Sequence, residues 1–165
     1  YLYLLLIYGF NHMIRFNRQG EFNLPVGNVD WNKNVSNALR TYFIWSKQNI
    51  SLFNEDFEEL LNNVEIGDKD FCYFDPPYII TNSEYNSRWS DDDEHRLYTY
   101  LDLLNEKGVK WGLSNMLRHK GKNNNLLEAW SKRYYIYNVQ SNYISKFDNS
   151  IKTDSKEIYV TNYGR

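Results

Sequence analysis

Four consecutive residues, Asp75-Pro76-Pro77-Tyr78, follow directly on an apolar run, Phe71-Cys72-Tyr73-Phe74. Proline has no N–H to give to a ladder, so a central strand must end before it. A residue that precedes proline is held extended, and both Asp75 and Pro76 precede one. The Asp75 carboxylate and the Pro76 carbonyl are thereby fixed relative to one another, two acceptors beside the flat ring of Tyr78. Such a set suits a planar ligand with an exocyclic amine, as adenine has. An aromatic amine is a weak nucleophile because its lone pair is delocalised into the ring. Two acceptors on its hydrogens favour the pyramidal form and assist attack on an electrophilic methyl group. In an arbitrary setting these four residues do no more than turn a chain. Directly after a strand they point to a site.

The elements that must position this site read as an α/β alternation. Tyr1 to Ile7 is expected as a buried helix ending at Gly9. Residues 10–30 carry turn signals at Gln19-Gly20, Pro25 and Gly27, which suggests an irregular hairpin. Residues 35–47 have apolar side chains at helical spacing, 50–53 are expected as a short strand and 55–61 as a short helix. Strand 71–74 comes next, then a helix opening at Ser90 with three acidic residues in its first turn, Asp91, Asp92 and Asp93. Strand 109–115, a basic loop at 118–122, helix 126–133 and strands 134–139 and 157–163 complete the pattern. Alternating strands and helices imply a mainly parallel sheet, whose ligand crevice lies at the carboxyl ends of its strands. Asp75 and Ser114-Asn115 are expected at two such ends.

The 165 residues suit one core. Charge is unevenly divided although the total is only −2. Residues 1–53 carry five basic against two acidic side chains, residues 54–106 three against fifteen, and residues 107–156 ten against three. Two basic flanks fit a polyanion; ordinary solvated faces explain them as well. The 15 tyrosines, 9 phenylalanines and 5 tryptophans serve packing or base stacking. The single cysteine, Cys72, excludes an internal disulfide and is expected as a buried small hydrophobe, in a cytoplasmic protein. The apolar opening, about ten residues, is too short to span a bilayer.

Phe74 to Tyr78 resembles the Asp/Asn/Ser-Pro-Pro-aromatic signature of amino-methyltransferases that use S-adenosyl-L-methionine. The Asp form is typical of adenine-N6 DNA methyltransferases. The resemblance extends to Dam-type enzymes, especially their phage members. Residues 9–27 resemble their target-recognition hairpin, 111–115 the strand after the catalytic loop, and 157–163 the closing strand.

That resemblance implies a partial Rossmann-like sheet without its first strands (residues 49–165), preceded by a helix–hairpin–helix region that reads DNA (residues 1–48). It implies that Asp75 and Pro76 receive the amino group of a flipped adenine, that Pro77 holds them rigid and that Tyr78 stacks on the base. Arg15 falls where the family reads guanine in GATC, Met13 and Pro25 at apolar base contacts, and Phe10 at a ring that wedges into the stack. Asn11 stands beside them where relatives carry a smaller polar residue. Met13 and Phe10 are otherwise ordinary core residues. Asp56 and Phe57 match the family's pair for the cofactor's adenine, with Asp75 close by; Asp56 alone reads as a first-turn helix acid. Arg118, Lys120 and Lys122 are available for phosphate, or simply for solvent, and Tyr143 lies near the flipped base. No metal is implied. The family's glycine-rich cofactor motif does not occur, so two expectations stand. The chain is the C-terminal part of a GATC-directed methyltransferase, or it is an inactive DNA-binding module able to dimerise through an open sheet edge.

Overall fold

The computed structural model describes residues 1–81, 86, 88–139 and 154–164. It divides into two compact units, Tyr1–Phe53 and Asn54–Arg165.

In the first unit, helix α1 (Leu2–Tyr8) ends at Gly9, whose N–H bonds to the Leu5 carbonyl. A Cβ at Gly9 would fall 2.6 Å from that carbonyl oxygen, so only glycine fits there. The helix is not buried as its composition suggests: Leu2 and Leu4 are exposed. A 3-10 turn, Phe10–His12, then leads into an irregular hairpin. Its arms touch at two isolated bridges, Gly9 with Val26 and Phe16 with Phe22. The Asn17 carboxamide closes the tip, accepting from the backbone N–H groups of Gln19 and Glu21. Helix α2 (Lys33–Trp45) begins at Asn32, whose side chain caps the N–H groups of Asn34 and Val35. Residues 50–53 form no strand. Ile50, Leu52 and Phe53 are exposed and pair with no neighbour in the sheet.

The second unit holds the core. Helix α3 (Phe57–Asn63) precedes strand β1 (Phe71–Phe74), which stops at Asp75 as the prolines require. Helix α4 (Asp91–Glu106) opens with a reciprocal cap: Ser90 Oγ accepts from Asp93 N–H while the Asp93 carboxylate accepts from Ser90 N–H. Gly108, at φ +74°, turns the chain out of α4. Strand β2 (Lys110–His119) is longer than its apolar run. Its basic end folds back through Lys120-Gly121 onto β3 (Lys122–Asn123), both turn residues having positive φ. The expected basic loop is thus a tight hairpin. Helix α5 (Asn125–Ser131), β4 (Tyr135–Val139) and β5 (Ser155–Thr161) complete the unit.

The strand order is β1-β2-β5-β4, with β3 on the end of β2. Among the described residues only β1 and β2 pair parallel; β5 runs antiparallel to both β2 and β4. The sheet is therefore mixed, not mainly parallel. Strand alternation in the sequence could not reveal that the last strand inserts between β2 and β4 with reversed direction.

Trp111, Leu113, Ile158 and Val160 face α4 and α5 in the buried core with Leu97, Leu101, Leu104 and Leu127. Much of the aromatic content is spent here. Trp130 stacks on Tyr98 at 4.4 Å between ring centroids and on Trp111 at 5.7 Å. Asp102 on α4 ties this cluster by accepting from Trp130 Nε1, Arg133 and Tyr134. Ser114 and Asn115 do not stand at a strand end. They lie mid-strand, Asn115 fully buried and donating to the buried carboxylate of Glu94.

Candidate active site

The site forms where β1 gives way to the two prolines. Asp75 is exposed at the carboxyl end of the strand, and Pro76, Pro77 and Tyr78 are half-buried behind it. A cavity of about 380 Å³ opens beside Asp75 and Pro76; Pro77 and Tyr78 are not on its wall. Its wall includes Phe57 from α3, Cys72, Phe74 and Asp75 from β1 and its end, Pro76, and Trp89 ahead of α4. Such an apolar cleft with one convergent carboxylate is the usual form of a small-molecule site. The rings of Phe57 and Trp89 lie 6.1 Å apart, and the Arg96 guanidinium covers the Phe57 face at 5.0 Å.

Cys72 is half-buried on this wall rather than in the core. Burial, and next the charge of Asp70, push its thiol pKa up, so it stays protonated.

Asp56 is not on that wall. Its Oδ1 caps α3 by accepting from Glu58 N–H at 3.0 Å, and also takes Arg96 at 2.8 Å. Arg96 further bonds Glu58 and Asp93, which ties α3 to α4. The structure thus brings Phe57, Asp75 and Pro76 together and gives Asp56 the helix-end role its position allows.

Tyr78 has an unanticipated partner. Its hydroxyl lies 3.0 Å from Asp75 Oδ1 and 2.9 Å from Oε1 of Glu157 on β5. Burial first, then the Glu157 and Asp75 carboxylates, push the Tyr78 phenol pKa far above its ordinary value. Glu157 itself is only 9% exposed. A glutamate followed by an apolar run, Glu157-Ile158-Tyr159-Val160, hints at a buried carboxylate but names no partner for it. Trp89 and Arg96 were missed because nothing in their local sequence marks them as site residues.

In the first unit, Arg15 donates through Nε to Asn23 Oδ1 and through Nη2 to the Asn23 carbonyl, each at 2.9 Å. One edge of the guanidinium is thereby held against the opposite hairpin arm. Pro25 accepts from Phe10 N–H, which joins the 3-10 turn to the same arm. Phe10 and Met13 are exposed, not core, and Asn11 has a left-handed backbone at φ 55°. Arg118 lies on β2, Lys120 in the turn and Lys122 on β3. Tyr143 lies outside the described residues.

Residues 1–144 match the model of the D12 class N6 adenine-specific DNA methyltransferases. The chain belongs to this family. It is 36% identical over 173 residues to the type II methyltransferase M.FokI of Planomicrobium okeanokoites, covering 98% of this chain and 26% of that protein. Modification methylase StsI of Streptococcus sanguinis is 36% identical over 179 residues, with the same coverage. Type II methyltransferase M1.LlaDCHI of Lactococcus lactis subsp. cremoris is 30% identical over 175 residues, 99% of this chain and 57% of that protein. The chain spans about a quarter of the length of the first two relatives.

Proposed function

We propose that this chain carries the target-base half of an adenine-N6 DNA methyltransferase with modification activity, and that its recognition sequence is GATC. The observation that carries the reading is the Asp75 carboxylate, exposed at the end of β1 on the rim of an aromatic-walled cleft. There it accepts one hydrogen of the adenine amine, the Pro76 carbonyl accepts the other, and Pro77 keeps the two in fixed relation. Tyr78 stacks on the base, which helps offset the few kcal/mol of flipping it out, about the cost of unstacking one pair.

S-adenosyl-L-methionine supplies the electrophilic methyl when bound. The cleft suits its planar base, to which Phe57 and Trp89 offer rings. Asp56 could take part only through Oδ2, since Oδ1 is engaged. After transfer the amine nitrogen is cationic and sheds a proton, for which Asp75 is the adjoining acceptor.

The hairpin supplies recognition. With its Nε edge held by Asn23, Arg15 presents its Nη1–Nη2 edge to a guanine, a bidentate contact worth roughly 1–3 kcal/mol of discrimination. Phe10, Asn11, Met13 and Pro25 form the rest of the reading surface, and Arg118, Lys120 and Lys122 of the β2–β3 hairpin take phosphates.

The test is transfer of labelled methyl to a GATC duplex, with a GTTC duplex and a folded Asp75→Ala chain as controls. Transfer requiring both GATC and Asp75 is expected from an enzyme that contains this chain. Transfer indifferent to Asp75 would overturn the site. Transfer to both duplexes alike would overturn the recognition sequence alone. If the isolated chain is folded and binds the duplex but transfers nothing, the inactive-module reading holds for these residues alone.

A further inference from the structure

We infer that Glu157 is a positioning residue of the base site: by taking the hydroxyl hydrogen of Tyr78, it leaves Asp75 to accept from the amine of the target base. This rests on the reading of Asp75 given above.

The geometry is a three-body one. The Tyr78 hydroxyl has a single hydrogen and two carboxylate oxygens at bonding distance, 3.0 Å to Asp75 and 2.9 Å to Glu157. Whichever carboxylate receives the hydrogen, the other is left to find another donor. Their surroundings differ. Asp75 is exposed on the cleft rim, where a ligand amine can reach it. Glu157 is nearly buried, and its backbone is held in the sheet opposite Met116 of β2 and Val139 of β4. Among the described residues, Tyr78 is the side-chain donor that Glu157 has. A carboxylate shut in this way carries a strong demand for the Tyr78 donor.

The consequence is an exchange that needs almost no movement. When an amine arrives at Asp75, the Tyr78 hydrogen turns to Glu157, already within reach, and the Asp75 oxygen is released. Without Glu157 the hydroxyl would donate to Asp75 Oδ1 permanently, taking an acceptor site there and weakening the carboxylate as an acceptor for the amine. Glu157 touches neither the base nor the methyl donor in this account. It acts through Tyr78.

The test compares two duplexes that differ only at the target base, adenine or purine, the latter lacking the exocyclic amine. The full chain should bind the adenine duplex more tightly. Glu157→Gln keeps the shape but removes the charge, and should cut that preference about tenfold, the worth of one charged hydrogen bond. Tyr78→Phe removes the competing hydrogen, so it should keep the preference. In its background Glu157→Gln should change the preference by less than about twofold, since the coupling has gone. Equal weakening of both duplexes by Glu157→Gln, or the same loss with and without the Tyr78 hydroxyl, would overturn the inference and leave Glu157 as an anchor of the loop. Should Glu157→Gln fail to fold, loss of the preference in Tyr78→Phe alone would overturn it equally. No adenine preference in the unsubstituted chain would instead overturn the reading of Asp75, and this inference with it.

Discussion

At the scale of single residues, close approach decides what sequence can tolerate. Gly112 on β2 is the clearest case. A Cβ there would lie 2.0 Å from the hydroxyl oxygen of Tyr159 and 2.5 Å from its ring carbon Cζ. Tyr159 is itself bonded to the Tyr163 hydroxyl at 3.2 Å, so the ring cannot swing aside without loss. Gly112→Ala should therefore lower stability by about 1–3 kcal/mol, the range for overpacking. Urea unfolding reads this as a lower midpoint, and the penalty should vanish in the Tyr159→Ala background, where the obstructing ring is gone. A penalty that persists there would mean the cost is in the backbone. The same scale shows what the sequence could disclose of the site. Asp75 and its prolines were legible because proline chemistry fixes where the strand stops. Glu157 was not: its partner Tyr78 is 79 residues away, and only the β5 insertion brings them together.

At the scale of elements, caps and turns were the most legible signals, because each states its own hydrogen-bonding demand. Ser90 announces α4, Gly108 ends it, and both hold in the structure. Apolar content was a poorer guide. It assigned a strand to 50–53 and burial to α1, yet an apolar side chain says nothing about what lies opposite it. The joint between α4, β2 and α5 was also invisible in advance. Glu94, fully buried on α4, accepts from Asn115 on β2 and from Asn124, which in turn caps α5. Burial pushes its pKa above the ordinary 4.5, the asparagine bonds opposing it only in part. The folded state thus binds the Glu94 proton more tightly than the unfolded chain does. The stability this proton contributes is complete below 4.5 and is lost as pH rises through the folded value. Stability of the chain relative to Glu94→Gln should accordingly fall from the acid end toward neutral pH. Denaturant melts of both proteins across that window measure the slope; a rising difference would show that the carboxylate is stabilised as the anion, and a flat one that folding leaves its proton affinity unchanged.

At the scale of the whole molecule, the two units are unequal in what holds them. Apart from Gly9, none of residues 1–53 is buried, and Tyr42, Phe43, Ile44 and Trp45 are more than half exposed. The second unit carries Trp111, Leu101, Leu113, Val109 and Val160 with no exposure at all. Burial of apolar area is the main favourable term, at about 25 cal/mol per Å² removed from water. Local opening is cheapest where such burial is least. A protease that cuts after aromatic residues should therefore act first within 1–53, at sites such as Tyr42 and Trp45, and spare the core strands of 54–164. Mass spectrometry of a timed chymotrypsin digest would show a persisting fragment that begins after residue 45. Such a fragment should keep its near-ultraviolet circular dichroism, because the stacked pair Trp130–Tyr98 and the adjoining Trp111 lie wholly inside it. Cleavage within β2 or α4 at the same rate would mean that the second unit does not hold its core independently. The hairpin with Arg15 thus belongs to the unit without a buried core, and Asp75 to the unit that has one.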